Sequence, residues 1–391
     1  MSAASGGRRV YPAVRALEHV ASLAGVRPLR LFPVLWPHWQ VETTASVEDE
    51  QAYEVIDRFL TRAIAETQIY KISELVGFFG LPEGLVERCL TFLATIGHLH
   101  VDAGTVRLTE LGLRSAGAGV RYVAKESRQD LLVERFTAQP LPRRYYGALP
   151  IFSTPEVPED RKSDLSRFAP LFAATPFRAE IVEKLTSRPD RAELNLRPEL
   201  RDLRVVQERD AFMPAYVVET ADSGLLVYTA LIAERDEFFE AVCRQVPAIH
   251  HMIDAEDRGH PRETWTGWLA NGQAGRGTLS QLPNGIWRAT MRADVFKPGG
   301  LPLRRIGSFE LRGRYFLQVW SEDSSLRRAA LLERVLAMTQ SPQVITRAQL
   351  QQRADALAEQ LAVARPSLAQ VRDYGIDRGE HARVARLDAL E

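Results

Sequence analysis

The densest group of side chains able to do chemistry is the stretch AIHHMIDAEDRGH, which holds His250, His251, Asp254, Glu256, Asp257 and His260. On a helix His250 and Asp254 share a face at i,i+4, a spacing that can hold one metal ion. His260 adds a third ligand from beyond Gly259. A metal held there would activate water, and phosphodiester hydrolysis would be the natural chemistry. The same residues also read as solvated histidines at a charged helix end, and the cluster matches none of the established metal-ligand spacings. His250, Asp254 and His260, with His251 beside them, stand as the candidate metal ligands of this chain.

Other chemistries lack their motifs. No GxxxxGK[ST] occurs to cradle phosphates, and NGQAGRGTL has Gly275 and Gly277 but not the third glycine of a dinucleotide loop. Neither HExxH nor GxSxG is present. No histidine is followed two residues later by lysine, which removes a phospholipase-D type of nuclease. Cys89 and Cys243 lie far apart in apolar helical patterns with no CxxC, so they read as core thiols in a reducing compartment. No cofactor is expected, and the chain leans away from being an enzyme.

A length of 391 residues suggests two or three domains. Lys+Arg and Asp+Glu balance at 50 each, so no net field draws the chain to a polyanion or a membrane surface. Only five of the basic residues are lysine, as a GC-rich bacterial coding genome would produce. The longest apolar run, LLVYTALIA after Gly224, is far short of the ~20 residues that span a bilayer, and MSAASGGRRVYPAVRALEHV lacks the apolar core of a signal peptide. A soluble, cytoplasmic protein that does not engage membranes is expected.

The elements that must position these residues start with an extended segment over 1–46, in which LRLFPVLWPHWQVE gathers aromatics and prolines. Its prolines argue against a helix and against a central strand. Ser46, with Asp49 three residues on, resembles a capping box and opens a predicted helix over 47–66. A short helix over Ile72–Phe79 ends at Gly80. A third helix opens after Pro82, with Leu85, Val86, Cys89, Leu90, Leu93 and Ile96 as its core stripe, and Gly97 stops it. HLHV and TVRL, joined by Asp102-Ala103-Gly104, read as a hairpin, and Thr109 caps a last turn.

Helix, helix, turn, helix, hairpin resembles the winged helix-turn-helix superfamily, over residues 47–116 only. That resemblance, which extends to regulators of the MarR and PadR kind, implies a module that either enters a DNA major groove with its third helix or serves as a protein–protein contact. The outward positions of that helix are Glu83, Gly84, Glu87, Arg88, Thr91 and Thr95, and the wing carries Asp102 and Arg107. Over 73–97 the charges are Glu74, Glu83, Glu87 and Arg88, three acids against one base. Duplex affinity rests on cations neutralising phosphate, so this surface favours a protein partner or a second copy of the chain, with nucleic acid as the other reading. Arg143-Arg144-Tyr145-Tyr146 is a further basic patch that can stack on single strands.

Beyond the module, residues 121–204 read as a linker and helical region. A mixed strand–helix domain follows over 205–340, with Asn284-Gly285 as a tight turn, and then a helical tail over 341–391. In the tail Leu350, Ala354, Leu357 and Leu361 form a packing seam. The fold class expected is an α+β or α/β multidomain chain: an N-terminal winged helix-turn-helix, the mixed domain and C-terminal helices. The function expected is a non-enzymatic winged-helix adaptor or regulator that docks on protein partners. A DNA-binding transcription regulator and a metal-dependent phosphodiesterase are the alternatives.

Overall fold

The structure is a computed structural model that describes residues 11–147, 151, 168–231, 234–255, 259–270, 277–296, 299–340 and 346–391. Among them are thirteen helices and eleven strands in a mixed α+β arrangement, and no helix is long and apolar enough to cross a membrane. The chain forms two compact units. The first comprises Met1–Pro37, Gly147–Ala174 and Ala211–Glu391, and the second His38–Tyr146 and Thr175–Asp210. This division differs from the linear series of domains expected from the sequence.

Helix α1 (Ala13–Ser22) buries Ala13, Ala16, Leu17 and Val20, a single stripe at helical spacing. Strand β1 (Pro28–Gln51) follows and overturns two expectations. Pro33 and Pro37 lie inside it, although β1 has a neighbouring strand on each side. Its antiparallel ladder starts at His38, just past Pro37, and a short parallel pairing takes up only Val34 and Leu35 between the two prolines. The missing N–H groups thus fall outside these pairings. Ser46 and Asp49 do not cap a helix; they sit in β1 opposite Glu126 and Val123. Here the buried residues Val41, Thr43 and Ala45 alternate with half-buried ones, and a period of two prevails over the local Ser-x-x-Asp pattern.

The helix expected over 47–66 is therefore shorter, α2 (Val55–Thr67), and it has no side-chain cap. Next come α3 (Ile72–Phe79) and α4 (Glu83–Thr95). The hairpin β2 (Leu99–Asp102) and β3 (Thr105–Leu108) turns through Ala103 at φ 44° and Gly104 at φ 81°, the two positive values a tight two-residue hairpin turn requires. Thr109 caps α5 (Glu110–Ala118) by accepting from the Gly112 N–H. Gly112 lies so close to the His98 carbonyl that a Cβ there would overlap its oxygen. Leu60, Ile64, Leu75, Val86, Leu90, Leu93, Leu99 and Val106 form one core under these elements.

Residues 121–134, expected as linker, form β4 (Arg121–Glu134), paired antiparallel with β1 from Gln51↔Arg121 to His38↔Glu134. β5 (Ala169–Pro170) makes the short parallel pairing with β1, and α6 (Glu180–Thr186) packs Val182 and Leu185 into a core with Trp39, Val41 and Leu131. β6 (Arg201–Thr220) and β7 (Leu225–Tyr228) form a hairpin in register Tyr216↔Tyr228, and the sheet order is β4-β1-β6-β7. Most of the proline-rich stretch at 148–167 lies outside the described residues.

In the first unit, α7 (Glu237–Gln245), α8 (Pro247–Asp254) and α9 (Pro261–Ala270) precede a second sheet. Its strands are β8 (Gly277–Gln281), β9 (Trp287–Met291), β10 (Phe309–Arg312) and β11 (Tyr315–Trp320), in the order β10-β11-β9-β8 with β9 and β11 parallel. Gly285, at φ 83°, supplies the turn between β8 and β9. Asp323 caps α10 (Ser324–Met338), accepting from Ser325 and Leu326. Capping boxes open α11 (Arg347–Gln360) and α12 (Leu368–Asp377), and α13 (His381–Asp388) completes the chain. The seam residues Leu350, Ala354, Leu357 and Leu361 are buried in one core with Trp265, Leu317 and Leu336.

Candidate docking surface

The helical core stripe determines what α4 presents outward. With Val86, Leu90 and Leu93 turned in, Glu83, Glu87, Arg88, Thr91 and Thr95 are exposed. Arg88 bends back so that Nε donates to the Gly84 carbonyl at 3.2 Å, and the Thr95 hydroxyl donates to the Thr91 carbonyl at 2.8 Å. Both groups thus engage their own helix. Arg107 on β3 is exposed opposite His100 on β2, and Lys71 is spent on Glu74 at 3.2 Å.

Several other cations of this unit lie against carboxylates. Arg114 meets Glu48 and Lys125 meets Asp49, while Arg128 and Arg209 reach Glu42 at 3.2 and 3.1 Å. The guanidinium of Arg114 holds the Glu48 carboxyl below the usual range, and Lys125 does the same to Asp49. Such exposed pairs add little stability, but they cancel positive potential that a phosphate backbone would need.

The surface is also apolar. Of the eleven large hydrophobic residues exposed among the described residues, Val55, Phe59, Tyr70, Phe78, Phe92, Val101 and Leu113 belong to the stretch from α2 to α5. Seven of the eleven thus fall within one short part of the chain. Phe92, 41% exposed on α4, rests against the Arg121 guanidinium, 5.2 Å from the ring centroid. Sequence reasoning missed Phe92. The available signal was an aromatic residue off the 86-90-93 stripe of an otherwise polar face.

Behind α4 lies a polar nest. Asp57 is 4% exposed, and Arg121 approaches it to 4.0 Å. His98 is fully buried; its Nε2–H donates to the Tyr122 carbonyl at 2.6 Å, and its Nδ1 faces the Tyr53 hydroxyl at 3.4 Å. Burial pushes the Asp57 carboxyl above the usual aspartate range. The Cys89 thiol hydrogen-bonded to it, the Arg121 charge and His98 pull the other way, while Glu54 adds to the rise. Burial likewise raises the Cys89 thiol, the wrong direction for a nucleophile.

A carboxyl whose pKa is raised on folding contributes its stability below the ordinary aspartate range. That contribution is lost as pH rises through the raised value. Stability of this module is expected to fall as pH climbs out of the acid range, and Asp57→Asn to remove that part of the slope. Amide-exchange protection in α2 and α4 of both proteins, from about pH 4 to about pH 7, checks this. Parallel slopes would contradict it.

The remaining sequence candidates are placed differently from expectation. Tyr145 is fully buried, and the Tyr146 hydroxyl accepts from the Leu132 N–H at 2.6 Å, with burial raising its pKa. The Tyr145 ring of the Arg143-Arg144-Tyr145-Tyr146 patch is therefore not offered for base stacking, while Tyr146 is half-buried and both arginines are exposed. On α8 the buried face is Ile249 and Ile253, which leaves His250 half-buried and His251 and Asp254 exposed, and His260 is exposed before α9. Among the described residues no three His, Cys, Asp or Glu side chains converge as a metal site; Glu256 and Asp257 lie outside those residues.

Comparison of the chain with family models, with curated proteins and with solved structures returns no match.

Proposed function

We propose that this chain is a non-enzymatic adaptor or regulator whose second unit carries a winged-helix module that docks a protein partner. The reading of the module draws on element order. α2 is followed by Lys71, bridged to Thr105 of β3, and then by α3, α4, the β2–β3 hairpin and α5. This isolated backbone bridge, which ties the segment between the first two helices to the hairpin, supports the winged-helix reading.

The observation that carries the choice of partner is the outer face of α4. It exposes Phe92 with Arg88, folded onto Gly84, one turn before it and Thr95 one turn after, while Glu83 and Glu87 lie farther round the helix. An exposed aromatic on a helix that carries two acids against one base suits a partner with an apolar pocket and a basic rim. The same acids repel a phosphate backbone. Truncating an aromatic anchor at such a contact costs about 2 kcal/mol, or roughly thirtyfold in affinity.

The test compares the native chain with Phe92→Ala and with Glu83→Lys/Glu87→Lys as bait, quantifying every co-purifying protein. A partner that both variants lose by about tenfold or more, while their melting curves stay native, is the expected result. Equal recovery by all three baits contradicts docking through α4. Duplex binding by the native chain that weakens steeply as salt rises would favour the DNA-binding reading, with Arg88 and Arg107 as the contacts.

A further inference from the structure

Alternation along the second sheet sends Ala289 and Met291 of β9 and Leu317 and Val319 of β11 into one core. Arg288, Thr290 and Gln318 therefore lie on the opposite face. β8 extends that face, because its register sets Ser280 against Arg288 and Thr278 against Thr290. Side chains opposite one another on neighbouring strands stand about 5 Å apart, so these residues form one patch. Thr278 and Ser280 are exposed, and Arg288 and Thr290 are half-buried.

The patch holds donors that the protein does not use. Arg288 gives Nε and Nη2 to the Gln318 side-chain oxygen at 2.9 and 2.7 Å, and its guanidinium carbon lies 4.1 Å from the Trp320 ring centroid. The amide and the indole together fix its orientation. Its other edge, Nη1 with the second N–H of Nη2, has no partner among the described residues, and Nη1 stays in contact with solvent. Other sheltered arginines of this unit meet carboxylates: Arg30 meets Glu219, Arg334 meets Glu18 and Arg305 meets Glu310. Arg288 meets none within ion-pair distance among the described residues. Burial lowers its pKa from the usual arginine value, the field of exposed Glu322 raises it, and Arg327 lowers it again. Arg327, 5.0 Å from the same ring, spends Nε and Nη1 on the carbonyls of Leu361, Ser321 and Glu322, so it contributes charge rather than a second fork.

The hydroxyls of Thr278, Ser280 and Thr290 likewise have no partner among the described residues. The strand hydroxyl of Thr43, by contrast, donates to the Gln129 carbonyl. Residues 271–276, which lead into β8, contain no acid. A carboxylate would be satisfied by the guanidinium edge alone, whereas a phosphate group has a further oxygen to accept from the hydroxyls. Trp320, 5% exposed beneath the guanidinium, is not offered for stacking, so selectivity falls on the anion itself.

We propose that this face of the second sheet binds a phosphate group, free or carried by a small molecule, through the open edge of Arg288 and the hydroxyls of Ser280 and Thr290. Every residue of the patch belongs to the first unit, so the inference stands apart from docking through α4.

The experiment titrates the full-length chain calorimetrically, in buffer low in chloride, with inorganic phosphate, phenyl phosphate and benzoate. At least one of the two phosphates is expected to saturate a single site at about tenfold lower concentration than benzoate, and whichever binds tighter identifies the free ion or the ester as the ligand. Arg288→Met should weaken phosphate binding by about tenfold or more, because the fork and its charge go together. Ser280→Ala/Thr290→Val should erase the preference over benzoate. The comparison of ligands on the native chain stands even if a variant fails to fold. No saturation by about 10 mM of either phosphate, equal binding of benzoate, or unchanged phosphate affinity in a folded Arg288→Met protein would overturn the proposal. So would a preference that survives in the folded double variant.

Discussion

Arg30→Met is expected to destabilise the first unit by about 3–5 kcal/mol, far more than the loss of an exposed ion pair would cost. The pair it breaks is almost dry. The side chains of Arg30 and Glu219 are 4% and 12% exposed, with Nε donating to Oε2 at 2.5 Å. A further guanidinium N–H donates to the Ile253 carbonyl at 3.3 Å, which tethers the end of α8 to β1. Removing the cation takes from this nearly dry carboxylate the charge that offsets its lost hydration. The companion variant separates this cause from lost packing: Arg30→Met/Glu219→Leu should recover most of the stability, since the stranded charge goes with its partner. Urea unfolding of the two variants decides it, and equal losses in both would contradict the assignment to charge.

Trp265→Ala should cost the same unit about 3–5 kcal/mol, because a fully buried indole leaves a void that its neighbours cannot close. Trp265 is 0% exposed and packs in the core that also takes Leu350, Ala354 and Leu361 from the tail. Its indole N–H has no hydrogen-bond partner among the described residues. Trp265→Phe should therefore cost far less than truncation, about 1.5 kcal/mol or below, since it removes an unsatisfied donor along with some volume. The same denaturant experiment reads both. A phenylalanine variant as unstable as the alanine one would mean that the indole N–H is satisfied in solution.

Legibility in the sequence followed the range of the forces. The helices of 55–95 were readable because their core stripes repeat at 3.6 residues and Gly80, Pro82 and Gly97 punctuate them locally. The hairpin was readable for the same reason, from Ala103-Gly104. Ser46 with Asp49 misled because a capping pattern is local, while pairing with Glu126 and Val123 comes from a strand more than seventy residues away. β4 itself gave no alternating signal: its first ten residues are exposed or half-buried and face ion-pair partners such as Asp49. Phe92 was hidden by being apolar in a helix where apolar residues are usually core. The cavity lined by Leu31, Ala169, Tyr216, Met252 and Gly313 could not be read at all, because its walls come from five segments that only tertiary folding assembles.

The interleaved route of the backbone has a practical corollary. Both units draw on non-contiguous stretches, with joins near residues 37, 146, 174 and 210, and β1 and β6 each continue across a join without interruption. No single scission can liberate either unit as an intact fragment; protease treatment should yield nicked chains that travel together until denatured. Terminal truncations at any of these joins will strip residues from a fold they were meant to isolate. Probing the two units separately therefore calls for point substitutions in the whole protein.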